Sequence, residues 1–228
     1  MTRRPVRSLG MRLASLATAA LFLWMGGGHP AKPAPIKPNK FVPAVNLDEL
    51  YDQETAKESA KRWEFRGHWK AGKDYAQWLD DIHGDESTLH RFASPDGRYV
   101  AAVVIGEAEV NYLAVFAKEP SGGSSSLPSF KLMMTVSDVT ALVWEPDAGH
   151  RLWFSCSGIY GDPIIGLWEG GEHYRVLRRL PDNDKAAYMF VLLSVRADGR
   201  EARYKYIVMP LTSKHETYHY GVLRLSHV

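Results

Sequence analysis

The stretch HRFASPDGRYVAAVV, residues 90–104, decides the fold of this chain. At its centre, Ser94-Pro95-Asp96-Gly97 has the chemistry of a tight turn: proline presets φ, aspartate bonds its own backbone, and glycine accepts a positive φ. The run that follows, Tyr99 to Ile105, is β-branched, aromatic and small apolar, and it is bounded by Gly97 and Gly106. Such a short run without period-2 alternation predicts a strand buried on both faces rather than a helix. Phe92 ends a preceding strand, LHRFA, so the unit reads strand, tight turn, strand.

Two later stretches repeat the pattern. VTALVWEPDAGHRLWFSCS covers Val139 to Ser157, and YMFVLLSVRADGREARYKYIVM covers Tyr188 to Met209. The turn aspartates Asp96, Asp147 and Asp198 are separated by 51 residues each time (147 − 96 and 198 − 147). Fixed periods of about 40 to 50 residues are typical of four-stranded antiparallel propeller blades. The expected strands are Leu89–Ala93, Tyr99–Ile105, Val110–Ala117 and Phe130–Val136, then Val139–Trp144, Arg151–Cys156, Ile164–Trp168 and Tyr174–Leu180, then Tyr188–Val195, Ala202–Met209 and Tyr218–Leu225. The third unit is one strand short.

FASPDGRYVAAVV, LVWEPDAGHRLWFS and the degenerate VRADGREARYKY resemble the Pro-Asp-Gly repeats of β-propeller proteins, of the type found in the periplasmic propeller of the bacterial Tol system. The resemblance spans roughly residues 89–226. It implies a mainly β fold of about three antiparallel, propeller-like four-stranded units, at 89–136, 139–180 and 188–226. Closed propellers have about 4 to 8 blades, so three copies imply an open or partly closed arrangement, or an oligomer. Propellers host enzymes, receptors and scaffolds alike, so the resemblance speaks to architecture and leaves function to the site.

The N-terminus speaks to location. Arg3, Arg4, Arg7 and Arg12 precede the apolar run LASLATAALFLWM and then Gly26-Gly27-Gly28. A basic region, a short apolar core and small residues after it match a secretory signal peptide at residues 1–31, since a membrane span needs about 20 apolar residues. The chain is expected in the periplasm or outside the cell, touching the membrane only if that segment stays uncleaved. Residues 32–45, rich in proline and lysine, read as an extended linker. The single β-rich domain then runs from 46 to 228, opening with two short helices. Asn46-Leu47-Asp48-Glu49 resembles a helix start, with a helix expected through about Lys61. In KDYAQWLDDIHG, Tyr75, Trp78, Leu79 and Ile82 share one helical stripe, and Gly84 is expected to end the helix in the left-handed conformation. Between the helices, Trp63, Phe65, Gly67 and Trp69 alternate with other residues. Arg62 to Trp69 is therefore expected to lie as a strand and to complete the third unit by pairing near the C-terminus.

Function classes narrow by chemistry. Formal net charge is +2, and the signal carries four arginines without an acidic residue, which leaves −2 for the mature chain (+2 − 4). A clustered basic excess of the kind nucleic acids require is missing, because RVLRRL at 175–180 is the only basic cluster and reads as a solvated strand face. Cys156 is the sole cysteine and reads as a small buried hydrophobe. His215 and His219 are weak metal candidates: on a strand they stand roughly 13 Å apart at about 3.3 Å per residue, too far to chelate one ion. The sequence contains no H-E-x-x-H, P-loop, G-x-S-x-G or Rossmann glycine pattern, and no cofactor is implied. One loop stands apart. SGIYGDP, Ser157 to Pro163, combines two glycines, Tyr160 and Asp162 on a sheet scaffold, where binding residues concentrate. Tyr160, Asp162 and the nearby Trp168 are the candidate binding residues, while Trp144, Trp153 and Trp168 are also suited to packing the units together. The resulting expectation is an exported binding or scaffold protein with a protein or small-ligand partner in the cell envelope, rather than an enzyme. The alternatives are a hydrolase or peptidase-associated protein on propeller-like blades and a subunit of a cell-envelope complex.

Overall fold

A computed structural model describes residues 39–50, 53–67, 69, 72–119, 129–147, 149–159, 161–180, 186–211 and 215–225. The signal segment, the start of the linker, the SGGSSSLP insertion and Tyr160 lie outside the described residues. In chain order come β1 (Phe41–Pro43), β2 (Val45–Asn46), α1 (Glu54–Lys61) and α2 (Lys73–Asp81). A first sheet follows, β3 (His90–Ala93), β4 (Tyr99–Ile105), β5 (Asn111–Lys118) and β6 (Phe130–Val136). The second is β7 (Val139–Trp144), β8 (Leu152–Cys156), β9 (Ile164–Trp168) and β10 (Arg175–Arg179), and the third is β11 (Ala186–Arg196), β12 (Glu201–Pro210) and β13 (Thr217–Arg224). The fold is mainly β. Each sheet is an antiparallel meander, and the three meanders coincide with the three repeat units.

The apolar run in the first repeat has two covered faces, which is why it does not alternate. Ala101 and Val103 face the second sheet together with Phe92, Leu113 and Val115. Val100, Ala102 and Val104 face the other way, where Ala114, Phe116 and Phe130 meet Tyr75 and Trp78 of α2. The turn before it performs as its residues dictate. Gly97 sits at φ 71°, and Asp96 Oδ1 accepts hydrogen bonds from Ser94 Oγ at 2.6 Å and Arg98 N at 3.0 Å. Asp198 repeats the arrangement, accepting from Arg200 N at 3.0 Å beside Gly199 at φ 66°.

The second sheet is the middle layer: every residue of β7, β8 and β9 is buried. β5 packs on β7 from one side, and β11 packs on β7 and β8. Trp144, Leu152 and Trp168 stand opposite one another in register. Trp168 meets Tyr99 of the first sheet edge-on at 4.9 Å, and Trp144 Nε1 donates to the Phe92 carbonyl at 3.0 Å.

The N-terminal segment departs from expectation. Asn46 does not open a helix; its Oδ1 accepts from Asp48 N, a local turn, and α1 begins only at Glu54. Apolar burial wins over the capping pattern, because Val42, Val45 and Leu47 are nearly or wholly buried against sheet edges. β1, inside the expected linker, pairs with β11 and supplies the missing strand of the third sheet. β2 pairs with β7. Arg62 to Trp69 does not reach the C-terminal region. Glu64 bridges Phe92 instead, with Phe65 N donating to Arg91 O at 2.8 Å and Ala93 N to Trp63 O at 2.6 Å. Residues 41–43, 45–46 and 63–65 thus lie along the first-strand edges of the third, second and first sheets. Nor do the aromatics of 62–69 share a face: Trp63 joins the inter-sheet core, while Phe65 and Trp69 pack with α2 and Phe130. The α2 stripe forms with Tyr75 and Trp78 buried, but the left-handed residue is His83, at φ 47°. His83 N bonds Asp80 O and Gly84 N bonds Leu79 O, the paired closure of a Schellman end, and Gly84 leaves room there for the tip of the Leu79 side chain.

Candidate binding cleft

A concavity of about 780 Å³ opens where α2, the end of β6, the 157–163 connection and β10 converge. That volume suits a small ligand or a peptide segment. Its polar rim includes Lys73, Asp74 and Asp81 from α2, and Asp162 and Arg179 from the second sheet, with Tyr174 on its wall. Asp162 is held by Arg179 Nη2 at 2.9 Å. Asp74 Oδ2 accepts from Leu132 N at 3.2 Å and ties the helix to β6.

The floor is built around one hydrogen-bonded turn. Val136 and Val139 bracket Ser137-Asp138, a two-residue crossing from the first sheet to the second. Asp138 takes a left-handed φ of 60°, a conformation a non-glycine residue adopts at a cost of about 1 to 3 kcal/mol and most readily as aspartate or asparagine. Its buried carboxylate accepts from Ser157 Oγ, and its carbonyl accepts from Ser157 N at 2.9 Å. Ser157 Oγ in turn accepts from Ile159 N at 3.2 Å, while Gly158 N donates to Tyr188 O at 2.7 Å. The base of the 157–163 connection is therefore anchored to the crossing between the first and second sheets and to β11 of the third.

Cys156 lines the same floor. It is buried, and burial, reinforced by the nearby Asp138 charge, pushes its thiol well above the ordinary range. A thiol held protonated is a poor nucleophile. His150, hydrogen-bonded to Glu169 O, lies at the opposite end of β8.

Beside the Asp138 turn, Asp48 accepts from Asn111 Nδ2 at 3.1 Å. Desolvation, then the charges of Asp138 and Glu49, push its carboxyl up to about 6. Its folded value exceeds the unfolded one, so the folded state binds more protons between pH about 4 and 6, and stability falls as pH rises through that window. The residue as a whole is exposed, so screening keeps the change under about 1 kcal/mol. Asp48→Asn should abolish this slope: the gap in urea midpoint between variant and wild type should shift between pH 4.5 and 7. Parallel pH profiles would overturn the assignment.

Of the residues singled out by sequence, Asp162 stands at the cleft. Tyr160 lies outside the described residues. Trp168 is wholly buried and donates to Gly171 O at 2.9 Å, so it packs the second sheet on the first instead of presenting a surface. His219 stacks on Tyr206 at 4.7 Å along β13, and no group of three or more histidine, cysteine, aspartate and glutamate residues placed for a metal occurs among the described residues. Sequence reasoning missed Asp138, Ser157 and Arg179. The signal available was the glycine-free Ser-Asp crossing between two apolar strands. Comparison with protein-family models, curated proteins and solved structures finds no match to this chain.

Proposed function

We propose that this chain is an exported, propeller-like scaffold that binds a partner in the cell envelope through the cleft at Asp162. The blade reading is supported by contacts between successive repeat turns: Asp96 N donates to Gly149 O at 3.2 Å, and the next turn along, Gly199, abuts Glu145. Three such blades form an arc whose inner edges are closed by residues 41–65. Export is supported by the basic and apolar N-terminus, and among the described residues no helix is long and apolar enough to cross a membrane. The observation that carries the binding reading is the anchored 157–163 connection, which holds a charged rim over a concavity with a fixed floor.

A photo-crosslinking residue at position 162 in the native host tests it. A discrete adduct in the envelope fraction is expected from position 162, and none from position 200, which lies on the β11–β12 turn. Identical adduct patterns from both positions would overturn the cleft assignment, and recovery of the chain in the cytoplasm with Met1 intact would overturn export.

A further inference from the structure

The two outer edges that end the first and second sheets are blunted against self-pairing. β10 is five residues long, carries Arg175, Arg178 and Arg179, and shifts register after Val176. β6 carries Lys131 and itself bulges at Met133, which has no partner in β5. β13 is eight residues long and has no bulge, and its one arginine, Arg224, stands at its very end. It pairs with β12 without interruption from Thr217 to Arg224, it contains no proline or lysine, and among the described residues nothing pairs with its other edge. Along one face it presents Tyr218, Tyr220 and Val222, which are 53%, 74% and 50% exposed, next to Ile207, Lys205 and Arg203 of β12.

We infer that β13 pairs antiparallel with β13 of a second copy of this chain, about a two-fold axis through Tyr220. The register follows from strand geometry. Successive residues of an edge strand point their backbone groups alternately inward and outward, so symmetric partners must have the same parity, and the axis must pass through a residue. Centred on Tyr220, Tyr218 meets Val222, Tyr220 meets its own copy, and Glu216 meets Arg224. Moving the axis by one residue to 219 sets Glu216 against Val222; moving it to 221 sets Tyr218 against Arg224. Only the Tyr220 register matches the two opposite charges that flank the apolar centre, and it does so twice by symmetry. Both side chains are at the surface: Glu216 accepts from Tyr218 OH at 2.6 Å, and Arg224, 79% exposed, approaches Glu201 at 3.5 Å. Pairing extends the third sheet across the axis and satisfies the outward backbone groups of both strands. This inference is independent of the cleft and of its partner.

Sedimentation equilibrium of the full chain is expected to show a dimer. Glu216→Lys or Arg224→Glu alone should weaken association about tenfold or more, because each like-charge contact occurs twice. The double exchange, Glu216→Lys with Arg224→Glu, should restore it. Tyr220→Cys should form a covalent dimer under oxidising conditions, since facing residues in an antiparallel pair lie about 4.5 to 5.5 Å apart between Cα atoms, within disulfide reach. Thr217→Cys, which faces Leu223 in this register, should not. A monomer at all concentrations, a dimer insensitive to both charge reversals, or equal cross-linking at 217 and 220 would each overturn the inference. So would a monomer whose β13 amides resist hydrogen exchange, which would assign the edge to a segment of the same chain.

Discussion

Arg151→Met should destabilise the protein by about 3 to 5 kcal/mol, a large part of the 5 to 15 kcal/mol that holds a typical domain folded. Arg151 pairs with Glu145, whose side chain is 1% exposed, and reaches Glu169 with its other terminal nitrogen at 3.5 Å. Trp153 Nε1 also donates to the Glu145 carboxylate, at 3.2 Å. Methionine preserves the packing of the arginine stem and deletes the charge, so Glu145 would be left ionised in an apolar layer between the second and third sheets. Desolvation already raises the Glu145 pKa, against the pull of Arg151. Without Arg151 it rises further, and the variant escapes part of the cost by protonating. The folded value then lies further above the unfolded one, so the variant's stability falls as pH rises, and the loss relative to wild type should be smaller at pH 5 than at pH 8. Urea midpoints at both pH values measure this. A loss below about 1 kcal/mol, or one independent of pH, would mean that the pair is a surface pair in solution.

How much of this was legible in the sequence depended on segment length. The strands of the three meanders could be read because most are apolar, β-branched or aromatic runs of five or more residues, punctuated by turn chemistry at constant spacing, and the four-residue β3 was marked by the Pro-Asp-Gly turn that follows it. Their burial was legible too, since Tyr99–Ile105 does not alternate. β1 and β2 were not, because three and two residues carry no period; Phe41–Pro43 becomes a strand only because the edge of β11 awaits it. The same blindness misplaced 62–69, whose alternating aromatics are split between two cores by a single bridge to β3. At the cleft, glycines and Asp162 marked a loop, while Arg179 looked like one more solvated arginine and Asp138 like an ordinary turn residue. Glu145 and Arg151 bracket the turn EPDAGHR, and nothing within that stretch marks either as part of a buried pair. Glu145 is buried, with Arg151 half-buried beside it, because the third repeat lays Gly199 over the Glu145 carboxylate, and that contact spans 54 residues (199 − 145).

Gly199→Ala should accordingly cost far more than Gly97→Ala, although the two glycines occupy equivalent turns and nearly equal backbone conformations, φ 66° and 71°. At Gly97 a Cβ would meet nothing within 4 Å. Only the left-handed backbone is penalised there, by about 1 to 2 kcal/mol. At Gly199 the added Cβ would overlap the Glu145 carboxylate. A surface glutamate would swing aside at little cost. This one cannot do so without leaving Arg151 and Trp153, which would strand a buried charge and its donors and add about 1 to 3 kcal/mol. The expected losses are therefore about 1 to 2 kcal/mol for Gly97→Ala and about 2 to 5 kcal/mol for Gly199→Ala, read from urea midpoints at unchanged m. A double-mutant cycle separates the two contributions. With Glu145→Ala already in place, Gly199→Ala should cost only the backbone penalty, so the pair should be less destabilising than the sum of the singles by at least about 1 kcal/mol. Strict additivity, or equal losses at 97 and 199, would show that the third turn does not press on the Glu145–Arg151 pair.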